Sequence, residues 1–473
     1  MPSYSLDELL NPSSIAVVGA PQGGSHGPFF VPALLAHGFP GKIYPVNPNH
    51  SEIQGLKAYP SLKEIPGSVD YVICAIPSTG VLDLLSECAQ KGVKIVHLFT
   101  ARFSETGRKK DAELEQEVLR RARKSGIRLI GPNCMGVYYP RRGISWCDEF
   151  PTQPGTVGFA SQSSFAAHDF VLLSAARGLR FSKVIGYGNA LDFNECDYLD
   201  YLSKDLDTRI ILMYLEGVKD GQRFLATLRR AALVKPVVVI KGGRGEAGSR
   251  AAASHTGSLA GSLKIWEAAL TQAGAISAQS LEELMDIAVS FHFLRPFRGR
   301  RVGIAGSGGG PSVLAADECE EAGLEVVPLP GKIRDELKAR GVSIWDWIGN
   351  PVDMSIAWGA ITPGDMLDMM GEEGNFDLLM AIMGVPHYMR QRDGLSADAY
   401  LERYNLKSGS GTPLLAIVPD KSLGSDTCAQ PDTKLLSGIR TKLIASGIPF
   451  YPTMARAARA ARKLADYYRR TGN

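Results

Sequence analysis

No stretch of the chain holds about 18 consecutive apolar residues, so no helix is expected to cross a membrane. The opening MPSYSLDELLNPSS has no basic segment followed by an apolar core, and so does not read as a signal peptide. The seven cysteines (74, 88, 134, 147, 196, 319 and 428) include no C-x-x-C pair. That scatter fits neither a zinc site nor a disulfide framework and points to a reducing cytoplasm, with no metal site. Charge of one sign is also missing: 52 basic and 49 acidic residues leave +3. No basic run carries interleaved aromatics, so nucleic acid is not an expected partner. Two nucleotide fingerprints are absent as well. There is no G-x-x-x-x-G-K-[ST], and proline at position 21 leaves the first glycine turn without G-x-G-x-x-G, which disfavours a nicotinamide dehydrogenase.

What the chain has in excess is glycine, 51 of 473 residues, well above average usage of about 7% and without a collagen-like period. At roughly 150 residues per domain, the length fits about three domains. Strands are expected at 14–19, 42–47, 69–76, 93–100 and 128–133, with helices at 31–38, 80–92 and 111–126. Apolar strands separated by helices imply a parallel, doubly wound sheet with ligands at the carboxyl ends of its strands. The stretch YYPRRGISWCDEFPTQPG at 138–155 breaks the rhythm and marks a boundary. A second set follows, with strands at 155–160, 182–188, 209–215 and 236–241. The basic segment 294–301 reads as a linker into a third set, with strands at 302–305, 376–384 and 413–418 and a terminal helix from Met454. The fold class is α/β, in three Rossmann-like or flavodoxin-like units.

The glycines gather where strands turn into helices. The first strand runs into Gly19-Ala-Pro-Gln-Gly-Gly-Ser-His-Gly27, a turn that lets backbone amides approach a phosphate; an ordinary surface turn is the competing reading. The third unit repeats the design in Gly306-Ser-Gly-Gly-Gly310, where open amides and a helix dipole make an anion site. The second unit has Ser161-Gln-Ser-Ser164 at the same point, with plain helix capping as the alternative. Residues 241–261, KGGRGEAGSRAAASHTGSLAG, are almost all small, with His255 in their midst. Small residues let anions approach, and imidazole is a nucleophile titrating near neutrality, so the pair suits phosphoryl transfer; a bland surface loop is the rival reading. A carboxylate that fixes the imidazole tautomer would strengthen the case. Glu216, directly after the strand at 209–215, is the candidate, although spacing alone does not separate it from a surface acid.

With these residues the chain resembles the NDP-forming acyl-CoA synthetases, the group that includes succinyl-CoA synthetase and the ADP-forming acetyl-CoA synthetases. The resemblance runs from about Ser14 to the final helix. It rests on Ser14-Ile-Ala-Val-Val-Gly-Ala20, Tyr44-Pro-Val-Asn-Pro48 with Gly55-Leu-Lys57, Gly131-Pro-Asn-Cys134, Tyr214-Leu-Glu-Gly217, Ala252-Ala-Ser-His-Thr-Gly257 and Asn350-Pro-Val-Asp353. The histidine motif together with Gly131-Pro-Asn-Cys134 is the specific part. The resemblance implies an N-terminal Rossmann-like CoA-binding domain over 1–140, followed by two flavodoxin-like succinyl-CoA-synthetase-type domains. The first of these, over 150–293, would be the phosphohistidine domain, and the second would span 299–470. The implied reaction interconverts carboxylic acid, CoA and ATP with acyl-CoA, ADP and phosphate through acyl phosphate and phosphohistidine.

In that reading His255 carries the phosphoryl group and Glu216 supports it. Ser161, Ser163 and Ser164, with Gly308, Gly309 and Gly310, hold phosphate at two helix starts. Gly19, Ala20, Gln22, Gly23, Asn47, Lys57, Pro77, Asn133 and Cys134 line the coenzyme A site. No segment matches the family's ATP-grasp domain, so the resemblance is to the α subunit of two-subunit enzymes. An ATP-grasp β subunit holding ATP or ADP and Mg²⁺ is the expected partner, in an α2β2-type cytoplasmic assembly acting on a small carboxylic acid. Two departures stand out: Pro21 replaces a serine and removes an amide donor, and Ser164 replaces a glycine. A non-catalytic CoA-binding protein is the alternative. Trp345, Trp347 and Trp358 flank the Asn350 motif, either as the wall of an acyl pocket or, as tryptophan's usual burial favours, as core.

Overall fold

The computed structural model describes residues 4–22, 30–250, 262–355, 361–383, 396–404, 406, 411–419 and 430–472. They fall into two compact units, Met1–Leu284 and Met285–Asn473.

The first unit holds two sheets. It opens with β1 (Ser14–Val18), β2 (Lys42–Val46), the hairpin β3 (Glu52–Ile53) and β4 (Leu56–Lys57), β5 (Tyr71–Cys74), β6 (Ile95–Leu98) and β7 (Arg128–Ile130). Apart from the hairpin these strands pair in parallel, in the order β2-β1-β5-β6-β7. β1 and β5 are buried along their whole length, as strands covered on both faces are. The helix Val81–Lys91 puts Val81, Leu84, Leu85 and Cys88 on its buried face and ends at Gly92, whose left-handed φ of 71° closes the last turn.

The second sheet contains β8 (Gly136–Tyr138), β9 (Val157–Ser161), β10 (Phe181–Gly186), β11 (Ile210–Leu215), β12 (Val237–Lys241) and β13 (Ile276–Ala278), ordered β13-β12-β11-β9-β10-β8. Only β8 runs antiparallel, against β10. The chain therefore changes sheets at Gly136, ahead of the proline-rich stretch. That stretch wraps an aromatic cluster in which Tyr138, Trp146 and Phe150 have ring centres between 5.0 and 6.3 Å apart. Asp192, with its side chain 1% exposed, ties this sheet to the first one. It accepts from Arg128 Nε at 2.7 Å, Arg123 Nη2 at 3.1 Å and the Leu129 amide at 3.1 Å.

The second unit starts inside the helix Leu281–Phe293. Asp286 accepts from Arg456 Nε at 2.6 Å, Ser290 shares a 2.7 Å hydrogen bond with the Tyr451 hydroxyl, and the Phe291 and Tyr467 rings lie 5.1 Å apart. The expected linker is folded in as well: Arg298 donates to Gly472 O at 2.6 Å and Arg301 forks onto Asp377 at 3.0 Å. The unit thus begins before residues 294–301, because the later half of that helix carries partners for β18 (Phe450–Tyr451) and the helix Met454–Thr471. Its sheet also contains β14 (Val302–Ser307), β15 (Val352–Asp353), β16 (Leu378–Ile382) and β17 (Leu414–Ile417), all parallel in the order β15-β14-β16-β17-β18. Trp345 packs on its core while Trp347 is 71% exposed, so core packing holds for the first and not the second; Trp358 lies outside the described residues.

Counted within each sheet, the parallel strands of all three follow the flavodoxin-like order 2-1-3-4-5. In this order a crevice opens at the carboxyl ends of the first and third strands, where the connections leave in opposite directions. The loops after β1 and β5, β9 and β11, and β14 and β16 occupy these three places. No described helix is long and apolar enough to cross a membrane.

Candidate functional site

A cavity of 730 Å³ opens where the carboxyl ends of β5 and β6 meet the start of the helix Ser164–Ala175. Five expected site residues share its wall: Pro77, Asn133, Cys134, Ser163 and Ser164. Asn133 adopts a left-handed φ of 59°, next to the cis Gly131–Pro132 bond. Cys134 is 3% exposed and burial pushes its thiol up to about 12, so it shapes the wall and is no nucleophile.

The other expected coenzyme A residues form a separate group at the end of β1. Gly19 has φ +87° and a Cβ there would stand 2.6 Å from Ala75 O, so the turn requires glycine. Ala20 is buried and its carbonyl accepts from Asn47 Nδ2 at 2.9 Å. Gln22 and Lys57 are exposed, with Lys57 Nζ 5.2 Å from the centre of the Tyr59 ring. None of Gly19, Ala20, Gln22, Asn47 and Lys57 belongs to the described lining of the cavity. Gly23 lies outside the described residues.

The serines after β9 have distinct tasks. Ser161 is fully buried and its hydroxyl donates to Ser163 O at 2.6 Å. Ser163 caps the helix, its Oγ accepting from the Ala166 amide at 3.3 Å. Ser164 Oγ accepts from the Met135 amide at 2.9 Å. A hydroxyl that accepts keeps its own hydrogen to donate, so Ser163 and Ser164 can serve an anion while the Ser161 hydrogen is committed.

Gln162, which sequence reasoning missed, joins this turn to Glu216. Its Oε1 accepts the amides of Glu216 and Gly217, the latter at 3.0 Å. Glu216 is 7% exposed, which removes the surface-acid reading. Burial, with the charge and hydrogen bond of Glu216, raises the Tyr214 hydroxyl to about 12. Lys241 Nζ donates to Glu216 O at 2.7 Å, and burial lowers its pKa. The glycine-rich segment starts against this acid: a Cβ on Gly242 would lie 2.7 Å from the Tyr214 hydroxyl and 3.3 Å from Glu216 Cγ. His255 itself lies outside the described residues.

In the second unit the helix Gly309–Glu321 begins at Gly308 (φ −94°, ψ 174°) with no side-chain cap. A Cβ on Gly309 would stand 2.9 Å from Asp353 Oδ2, while Gly310 faces open space. Asp353 Oδ1 holds Ser355 through its amide at 2.8 Å and its hydroxyl at 2.6 Å. The amides at this helix start are unblocked by any side chain of their own turn.

Sequence reasoning also missed three cations on the cavity wall, Arg102, Arg108 and Lys110. Their signal was a basic cluster just past a strand's carboxyl end, which reads as a solvated face until the neighbouring wall is known. Cations with no side-chain partner among the described residues on one side, and donating hydroxyls on the other, fit a ligand that carries phosphate.

Residues 13–140 match the family model of a CoA binding domain, and residues 154–291 that of a succinyl-CoA ligase like flavodoxin domain. The chain is 38% identical over 412 residues to acetate–CoA ligase (ADP-forming) II subunit alpha of Pyrococcus furiosus, covering 87% of this chain and 89% of that one. It is 36% identical over 387 residues to acetate–CoA ligase (ADP-forming) I of Archaeoglobus fulgidus, covering 80% of this chain and 55% of that longer one. A solved dinucleotide forming acetyl-coenzyme A synthetase 1 of Candidatus Korarchaeum cryptofilum, in complex with phosphate and ADP, has a TM-score of 0.79 at 29% identity over 99% of this chain and 98% of that one. The chain belongs to the NDP-forming acyl-CoA synthetase superfamily, as an α-subunit-type member of its ADP-forming acid–thiol ligases.

Proposed function

We propose that the chain interconverts carboxylic acid, CoA and ATP with acyl-CoA, ADP and phosphate, with His255 as the phosphoryl carrier. The observation that carries this reading is Glu216, buried at the carboxyl end of β11, with the segment that bears His255 starting against it. From the acyl-CoA side, a phosphate oxygen attacks the thioester carbon, the C–S bond breaks and the thiolate takes up a proton. An imidazole nitrogen of His255 then attacks phosphorus in the acyl phosphate, and the carboxylate leaves with the bridging oxygen. ADP finally accepts the phosphoryl group from the histidine.

Glu216 accepts the hydrogen of the other ring nitrogen and offsets the charge of the phosphorylated ring. The Ser163 and Ser164 hydroxyls and the amides of Gly308, Gly309 and Gly310 donate to phosphate oxygens at two helix starts, where the dipole favours an anion. The cavity takes coenzyme A, its thiol directed to the serine turn. Gly19, Ala20 and Asn47 shape the turn where a further part of the coenzyme is held.

The relative named a subunit alpha, and the longer single-chain relative, support a partner subunit. We assign that partner the ATP-grasp domain with ATP or ADP and Mg²⁺, in an α2β2-type assembly. Six free cysteines, all buried among the described residues, support a cytoplasmic setting. With acetyl-CoA and phosphate, or with ATP and the partner, His255 is expected to acquire acid-labile, base-stable phosphate, located by mass spectrometry. Label that persists in His255→Ala would overturn the assignment.

A further inference from the structure

The backbone of Arg102 is the feature that the reaction does not explain. It has φ 76°, in the left-handed region that side-chain-bearing residues enter only at a cost. Glycine would meet that backbone demand without strain, so the reason for arginine must lie in its side chain. That side chain lines the 730 Å³ cavity beside Arg108 and Lys110 and has no partner among the described residues. Asp111, the acid in the same lining, is engaged by the Thr106 hydroxyl at 2.7 Å.

The strain is held by a clamp reaching in from the second sheet. Glu105 accepts the amides of Arg102 and Phe103, the latter at 3.1 Å. Asn189, 7% exposed, donates Nδ2 to Glu105 Oε2 at 2.7 Å and to Glu115 Oε1 at 3.0 Å. Its amide donates to Pro132 O at 3.1 Å, next to the Asn133 wall, and Lys219 Nζ donates to its carbonyl at 3.1 Å. The Glu105 carboxylate and Asn189 Nδ2 are engaged with each other and with the backbone, Asn189 Oδ1 stays buried without a partner, and the guanidinium is left to the cavity.

We propose that Arg102 recognises a phosphate group of coenzyme A, and that Glu105 and Asn189 are the positioning residues that hold it there. The inference rests on the reading that this cavity takes coenzyme A. The Arg102 side chain is exposed, so its guanidinium is open to a ligand; it offers the fork of donors that a phosphate accepts, and a charge-assisted bond of this kind is worth about tenfold in affinity.

Calorimetric titration of the full chain at low salt tests it. In Arg102→Gly, the unfolding temperature should be equal or higher as the strain is relieved, while coenzyme A binds about tenfold more weakly. Weakening confined to coenzyme A and absent for dephospho-coenzyme A would assign the 3′-phosphate; equal weakening of both would assign the pyrophosphate. Either supports the proposal. Unchanged affinity, or a joint fall in stability and affinity, would overturn it. Glu105→Gln should weaken binding by about threefold in the wild-type background and not at all in Arg102→Gly. Equal loss in both backgrounds would remove the clamp. A wild-type chain that binds no coenzyme A would overturn the underlying reading itself.

Discussion

The strand-to-helix turns after β9 and after β14 occupy the same place in two sheets of the same strand order, yet they are built in opposite ways. The serine turn supplies its own cap: Ser163 satisfies a helix amide, Ser161 braces the turn and Ser164 holds Met135. The glycine turn supplies none, and leaves the first amides of the helix Gly309–Glu321 to whatever comes. A capped start gains stability from its own side chain, whereas an uncapped one keeps its donors for a ligand. We infer a division of labour, in which the serine turn stabilises its own helix through its cap and the glycine turn keeps open amides for an anion.

The largest expected effect falls on the scaffold and sets the pH window in which the turns can be compared. His97 is 1% exposed and bonds Cys134 O through Nε2 at 3.0 Å, and burial holds it down to about 4. Because that value is depressed, the unfolded chain binds more protons between about 4 and the ordinary 6.5. Stability is therefore full above pH 6.5 and falls as the pH drops towards 4, by about 3 kcal/mol in all. Urea midpoints at pH 7.5 and 4.5 check this, and a flat profile would mean that the buried imidazole is not neutral.

Next is Gly309→Ala, whose methyl must displace Asp353, itself pinned by Ser355. Activity of the assembled enzyme should fall about a hundredfold, as when a preorganised donor is lost, with little change in the unfolding midpoint. Ser163→Ala should do the reverse, costing about 1 kcal/mol of stability and less activity. If these two variants exchanged their signatures, the division of labour would collapse. The smallest effect is expected from Asp353→Asn. Removing a carboxylate beside the uncapped helix start should tighten inorganic phosphate binding about threefold, measured by titration.

The apolar strands were legible because parallel strands buried on both faces leave short continuous hydrophobic runs. The turns at their ends were legible because only glycine or small polar residues suit them. Pro77, Asn133, Cys134, Ser163 and Ser164 do meet in one cavity, whereas Gly19, Ala20, Asn47 and Lys57 stand apart from it. What sequence could not reveal depends on partners far along the chain. Arg102 reads as one more exposed charge, and that its backbone is pinned becomes visible only when Glu105 and Asn189, 84 residues apart, are seen to meet. Residues 294–301 look like a tether because nothing local says that Arg301 will fork onto Asp377, 76 residues on. Gln162 reads as a spacer between serines until it accepts the Glu216 amide.

The buried Asp192 has a consequence for how this chain can be dissected. The last strand of the first sheet does not own the acceptor of its Leu129 amide, or the counter-charge of Arg128; both arrive from a loop more than sixty residues later. A fragment ending near residue 140 would carry that edge unfinished, with donors that had lost a buried carboxylate. The two sheets of the first unit should then melt together as one cooperative block, and amide exchange along β7 should report the integrity of β10.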